Sequence, residues 1–263
     1  MISTTNSRLG RLFSALILLF LALRPVPAAY SEPTDQEVFA RQAAAEYRRT
    51  QAAWRSATND SPAAWQFASA CFDLAEFATN DDNRAELAVQ GIDACRKLIK
   101  EQPQSAPAHY YLAMNLGQLA RTELLGALSL VREMETEFKT AWSLDNQVDH
   151  AGAARNLGQL YRDSPGWPAS IGSKRKAREW LERAVRTAPD FPENLLLLSE
   201  SYLQWDETTA ALKELKQLDL LWPKAMTNFT GTAWKQNWED WSARRAAAQD
   251  LVDGRSGTKS DTR

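Results

Sequence analysis

One helix-pair phrase recurs along this chain, and that recurrence constrains the fold more than any other feature. One copy runs Ala151-Gly152-Ala153-Ala154-Arg155-Asn156-Leu157-Gly158, then Tyr161, and continues through Ala177, Leu181, Ala184 and Pro189. The next runs Pro192-Glu193-Asn194-Leu195, Leu198-Ser199 and Tyr202, then Ala211, Leu215, Leu218 and Pro223. An earlier copy runs Ala106-Pro107-Ala108-His109, Leu112-Ala113 and Leu116, then Met134, Phe138 and Ala141. Small residues let two helices approach closely, larger apolar ones fill the space between them, and a proline is expected to stop the second helix. No such pair can bury its apolar face alone, so successive pairs must stack.

This rhythm resembles the tetratricopeptide (TPR) repeat. The expected fold is all-α: a TPR-like helical-hairpin solenoid of about four helix pairs with flanking N- and C-terminal helices. The pattern places helices from Thr34 to about Ser56, Ser61 to Ala78, Asn83 to Lys100, Ala106 to about Ala120, and Arg121 to Leu144. Further helices are expected over Ala151–Tyr161, Ser173–Thr187, Pro192–Gln204, Glu207–Leu221 and Thr232–Val252. Solenoids of this kind bind other molecules along extended surfaces rather than performing chemistry.

The first 29 residues read as an address. Arg8 and Arg11 precede an apolar run from Leu12 to Leu23, and Val26-Pro27-Ala28-Ala29 offers small residues for cleavage. That order is a secretory signal peptide, cleaved near Ala28-Ala29, and an uncleaved anchor is the alternative. The run is short for a bilayer span. No cysteine follows it, so no lipid anchor and no stable membrane attachment are expected. The expected organisation is signal peptide 1–29, solenoid 30–253 and disordered tail 254–263, with the mature protein periplasmic or secreted. Losing Arg8, Arg11 and Arg24 takes the net charge from −2 to −5. A mildly acidic domain is a poor nucleic-acid binder, because phosphate attraction needs a basic face.

Cys71 and Cys95 lie on successive expected helices joined by a turn near Asn80. Exported proteins retain disulfides, so a staple across the hairpin is one reading. Two buried free thiols acting as small apolar residues is the other. Their spacing fits no zinc site and no redox pair.

The repeats are unequal in an ordered way. Small residue to small residue across the pair's own turn is 12 positions from Ser199 to Ala211, 19 from Gly158 to Ala177, 21 from Ala113 to Met134 and 22 from Ser69 to Gly91. Insertions at equivalent places in a solenoid project from one side, so that edge is the first candidate for binding. Its most distinctive segment is Arg162-Asp163-Ser164-Pro165-Gly166-Trp167-Pro168-Ala169-Ser170-Ile171-Gly172-Ser173. Trp167 is either an aromatic anchor for a partner or a cover for the helix ends beneath it. The basic turn Lys174-Arg175-Lys176 opposes the helix dipole, which points either to a bound anion or to a solvated charge run relieved by Glu179 and Glu182.

Tyr110, Tyr111, Met114 and Asn115 line either a groove or the core. His109 and His150 lack partners at metal-ligand or catalytic spacing and read as structural. No phosphate loop, nucleophile elbow or metal motif is present, so neither an enzyme, a metal nor a cofactor is expected.

The runs Ala108-His109-Tyr110-Tyr111-Leu112-Ala113-Met114-Asn115-Leu116-Gly117, Gly158-Gln159-Leu160-Tyr161-Arg162-Asp163-Ser164-Pro165-Gly166-Trp167-Pro168 and Ile171-Gly172-Ser173-Lys174-Arg175-Lys176-Ala177 carry a further resemblance. From roughly Ala63 to Leu221 the chain resembles the TatT-like T-component family, TPR proteins associated with TRAP transporters, which import organic acids. A weaker likeness is to the TPR part of the microtubule-dynamics regulator family, against which the export signal argues. The first resemblance implies a periplasmic helical protein that partners a TRAP solute-binding protein. The candidate partner- or ligand-binding residues, read from the loop, the basic turn and the helix stripe, are Trp167, Arg162, Lys174, Arg175, Tyr110 and Asn115. The alternative is a carrier that holds a small apolar or carboxylate ligand in an aromatic cleft.

Overall fold

A computed structural model describes residues 34–56, 61–123 and 126–257. The expected leader lies outside them, as does the end of the expected tail. Among the described residues there are ten α-helices and no strand. They are α1 (Asp35–Ser56), α2 (Ser61–Ala75), α3 (Asp81–Glu101), α4 (Ala106–Ala120), α5 (Ala127–Leu144), α6 (Gly152–Asp163), α7 (Lys174–Thr187), α8 (Pro192–Gln204), α9 (Thr208–Asn228) and α10 (Lys235–Gly257). Helices α2 to α9 form four hairpins, α2/α3, α4/α5, α6/α7 and α8/α9, stacked through α3–α4, α5–α6 and α7–α8. Helix α1 packs on α2, and α10 packs on α8 and α9. The architecture is the expected solenoid with flanking helices.

Local chemistry accounts for the helix starts. Asn80 caps α3 by accepting from the Asn83 amide at 2.8 Å, and Asp81 and Asp82 follow in the first turn, where acids favour the dipole. Ser173 caps α7 through the Lys176 amide. Pro107 and Pro192 occupy first-turn positions of α4 and α8, where a missing N–H costs nothing. The repeated small residues work as close-approach points. A Cβ on Gly158 would fall 2.5 Å from Leu181 Cγ, so only glycine lets α6 and α7 meet there.

Nine of the ten tryptophans pack on or within these cores. Trp234, Trp238 and Trp241 share a face of the C-terminal region and close the last hairpin. Trp241 is 1% exposed and donates to Glu193 Oε2 at 2.7 Å, while Trp238 donates to the Phe229 carbonyl at 2.7 Å. The aromatic C-terminal helix therefore caps the stack.

Several boundaries differ from expectation. Pro223 does not stop its helix but lies inside α9. Its missing N–H leaves one carbonyl a turn earlier without its usual donor. Ala225 and Phe229, beyond it, are buried in the same core as Trp241, and Trp222 packs against that core, so tertiary packing carries the helix across the proline. Helix α5 starts at Ala127 rather than near Arg121, because the amides of Arg121 and Thr122 turn back to Gln118 and Leu119. Helix α10 continues to Gly257, into the stretch expected as tail.

Cys71 and Cys95 are free and buried, the second of the two readings their spacing allowed. They belong to different clusters: Cys71 packs with Phe67 and Ala94, and Cys95 with Ala68, Ile92, Leu112 and Leu116. Burial pushes the Cys71 thiol up to about 12 and raises Cys95 as well, so both behave as inert apolar residues.

His109 is structural. Its Nδ1 lies 2.5 Å from Glu137 Oε2 and its Nε2 lies 2.9 Å from the Pro103 carbonyl, tying α4 to α5 and to the preceding turn. Both partners are acceptors, an arrangement that favours the ring with protons on both nitrogens. The Glu137 hydrogen bond raises its pKa above 6.5, against the opposing effect of burial. A raised histidine pKa contributes stability that is complete below the unfolded value and lost as pH rises through the folded one. The native protein is therefore expected to exceed Glu137→Gln in urea-unfolding free energy at pH 5.5, with the gap narrowing as pH climbs past 6.5. Leu181→Ala, at a fully buried site, is expected to cost about 2–5 kcal/mol in the same measurement.

Candidate functional site

The ordered edge is the loop from Ser164 to Ser173 between α6 and α7. The Gly172 amide donates to the Pro165 carbonyl at 2.8 Å, and the Ser173 amide to the Tyr161 carbonyl at 2.9 Å. Ala169 and Ser170 both donate to the Gly166 carbonyl, and Gly166 and Gly172 form an isolated bridge. A Cβ on Gly172 would lie 2.1 Å from the Ser164 carbonyl, so this closure requires glycine. On this pinned backbone Trp167 is 88% exposed. It does not fold back over the helix ends.

The basic turn beside the loop is largely matched from within. Lys174 lies 2.9 Å from Glu207, and Arg178 lies 2.5 Å from the same carboxylate. Lys174 and Arg178 hold the Glu207 carboxyl below its ordinary value. Lys176 lies over the Tyr161 ring at 4.9 Å. Arg162 donates to Ser201 Oγ at 2.9 Å and pairs with Asp163, which makes it a brace between α6 and α8. Arg175 points outward, its side chain 81% exposed, with a loose ion pair to Glu179 at 3.8 Å. No bound anion is needed to explain the turn.

Tyr110 and Asn115 do not line a groove. Asn115 is fully buried and donates to the carbonyls of Ala68 and Tyr111 at 2.9 and 2.8 Å, joining α4 to α2. Tyr110 is 1% exposed, and its hydroxyl donates to Asp149 Oδ2 at 2.5 Å and accepts from Asn156. Desolvation, with the Asp149 charge beside it, holds the Tyr110 phenol protonated. Asp149 also pairs with the buried Arg155. Arg155 donates in addition to the carbonyls of Asp149 and His150 and to Asn194 Oδ1. This network stabilises three consecutive left-handed residues, Asp149, His150 and Ala151, with φ of 49°, 52° and 65°.

Beside Tyr110 and Asn115, α2 and α4 present a partly exposed surface. Trp65, Ser69 and Asp73 stand at i, i+4 and i+8 on α2, a single stripe. The Tyr111 ring of α4 lies parallel to Trp65, centroids 5.8 Å apart and planes 6° apart, and its phenol meets Ser69. Asp73 is exposed to solvent, yet crowding by the protein around it, with the charges of Asp149, Glu76 and Glu46, pushes its carboxyl up to about 7. The usable signal was the spacing of Trp65, Ser69 and Asp73.

Comparisons with known proteins agree with the fold. The chain is similar in structure to TTC0263, a thermophilic TPR protein of Thermus thermophilus, with a TM-score of 0.57 and 17% identity over 81% of this chain and 98% of that one. It is also similar to MamA (TM-score 0.48, 15% identity, 74% of this chain and 98% of that one). A looser similarity is to yeast Tom70 (TM-score 0.34, 10% identity, 90% and 68%). Among curated proteins none matches. A family model, regulator of microtubule dynamics protein 1-3, matches residues 28–147, the part that contains α1 to α5. That is the family to which the weaker sequence likeness pointed. The fold shown is a TPR-type solenoid.

Asp73 carries a raised pKa, so its ionisation costs stability above the ordinary carboxylate range and nothing below it. Asp73→Asn is expected to raise the melting temperature at pH 8, with the advantage vanishing as pH falls toward the ordinary value of 3.8. Thermal unfolding followed by circular dichroism across that range measures it.

Proposed function

We propose that this chain is an exported TPR scaffold, not an enzyme, that binds another protein along the edge carrying Trp167. The observation that carries the reading is the exposure of Trp167, 88%, on a loop closed by backbone hydrogen bonds. An indole presented in water on a closed backbone is a ready anchor, because the loop's own ordering entropy is already spent before the partner arrives. Arg175, in the first turn of the helix that follows the loop, adds a mostly exposed charge only loosely held by Glu179. The finer reading is an accessory to a TRAP-type organic-acid importer, with a solute-binding protein as partner; it rests on the Pro165-Gly166-Trp167-Pro168 block. Export to the periplasm rests on the basic, apolar and small order of residues 8–29. That order argues against a microtubule role despite the family similarity over residues 28–147. Tyr110 and Asn115, two of the four residues that could have lined a groove, are closed into the core, which weighs against the carrier alternative.

The test is affinity capture of the tagged protein from its native compartment, with mass-spectrometric identification. Enrichment of a solute-binding protein, lost in Trp167→Ala while the melting curve moves by no more than about 0.5 kcal/mol equivalent, is the expected result. Capture unchanged by the substitution would overturn the edge assignment.

A further inference from the structure

The stripe on α2 has chemistry of its own, separate from the Trp167 edge. Three carboxylates face Asp73 electrostatically, and each is already matched: Asp149 by Arg155, Glu76 by Arg121, Glu46 by Arg49. Asp73 differs. Among the described residues none gives it a hydrogen bond or an ion pair. It sits at one end of the stripe, with the parallel Trp65 and Tyr111 rings at the other. Ring faces carry negative quadrupole density and attract cations, as an unpaired carboxylate does. Both ends of the stripe therefore favour positive charge.

The dimensions narrow the occupant. Eight residues of helix separate Trp65 from Asp73, about 12 Å at 1.5 Å per residue. That matches three to four residues of extended chain. A guanidinium suits both ends, since it can bond a carboxylate in bidentate fashion and stack flat on an aromatic ring. We propose that this stripe of α2 and α4 is a docking surface for an extended, arginine-bearing segment of a partner protein, with one guanidinium on Asp73 and another over Trp65 and Tyr111. The proposal rests on the protein-binding reading of the fold but not on the Trp167 edge.

The experiment is an NMR titration of the whole protein with a blocked Arg-Ala-Ala-Arg tetrapeptide, using blocked Glu-Ala-Ala-Glu as control. Saturable shifts at Trp65 and Tyr111 are expected with the basic peptide alone, weakening at least tenfold in Asp73→Asn and falling as salt is raised. The Asp73 carboxyl is expected to titrate at lower pH in the complex. Asp73→Asn is at an exposed position, so the variant folds, and Trp65→Leu gives a second test of the ring end. No saturable binding, equal binding by the acidic peptide, or binding indifferent to Asp73→Asn would overturn the proposal. The readout involves no captured protein, so failure of the Trp167 capture experiment leaves it standing.

Discussion

The stack depends on how one buried charge is held. Arg155 is 7% exposed, and its guanidinium reaches the Asp149 carboxylate, the carbonyls of Asp149 and His150, and Asn194. It also lies 5.1 Å from the centre of the Phe191 ring. Asn194 in turn donates to the carbonyls of His150, Ala184 and Ala188, the last two at the end of α7. One side chain and its neighbour thus tie the α5–α6 turn, α6, α7 and α8 together. Removing one partner of such a pair strands the other charge, typically at about 3–5 kcal/mol. The network also offsets the three left-handed residues at 149–151, each worth roughly 1–2 kcal/mol of strain.

What that joint holds rigid, the surfaces can use. Helix α6 begins at the joint and ends at the loop bearing Trp167, so a fixed α6 fixes the loop. Burying an indole of about 150–250 Å² at 25 cal/mol/Å² is worth on the order of 4–6 kcal/mol, a gain this chain takes in full for Trp241, in part for eight other tryptophans, and leaves open for Trp167. The α2 stripe follows the same logic with charge in place of area. Three carboxylates around it are paired internally and Asp73 is not.

Much of the fold was legible because small residues and prolines mark close approach and helix ends directly. The bounds of α4 and α8 follow from Ala106 and Pro192. Pro223 misled because its local cost is outweighed by packing from residues far away in sequence. Helix periodicity identified the right stripe on α4 but not its orientation. Tyr110 and Tyr111 differ by one residue, about 100° around the helix, and the first is core while the second meets Trp65. Cys71 and Cys95 left two readings open in the sequence because spacing alone does not say which cluster each thiol packs into, and each packs into its own. Arg155 was invisible as a joint because its partner on α8 stands 39 positions away. The basic turn at α7 likewise found its counterion, Glu207, beyond the next helix.

The central claim is that Arg155 holds the third and fourth hairpins in register and, through α6, keeps the Trp167 loop closed. Hydrogen–deuterium exchange of Arg155→Met tests it most directly. Faster exchange concentrated in α6, α7, α8 and the amides of Gly172 and Ser173, with α2 and α3 unchanged, is the predicted result. Unchanged exchange at those sites, or deprotection spread evenly over all four hairpins, would contradict it.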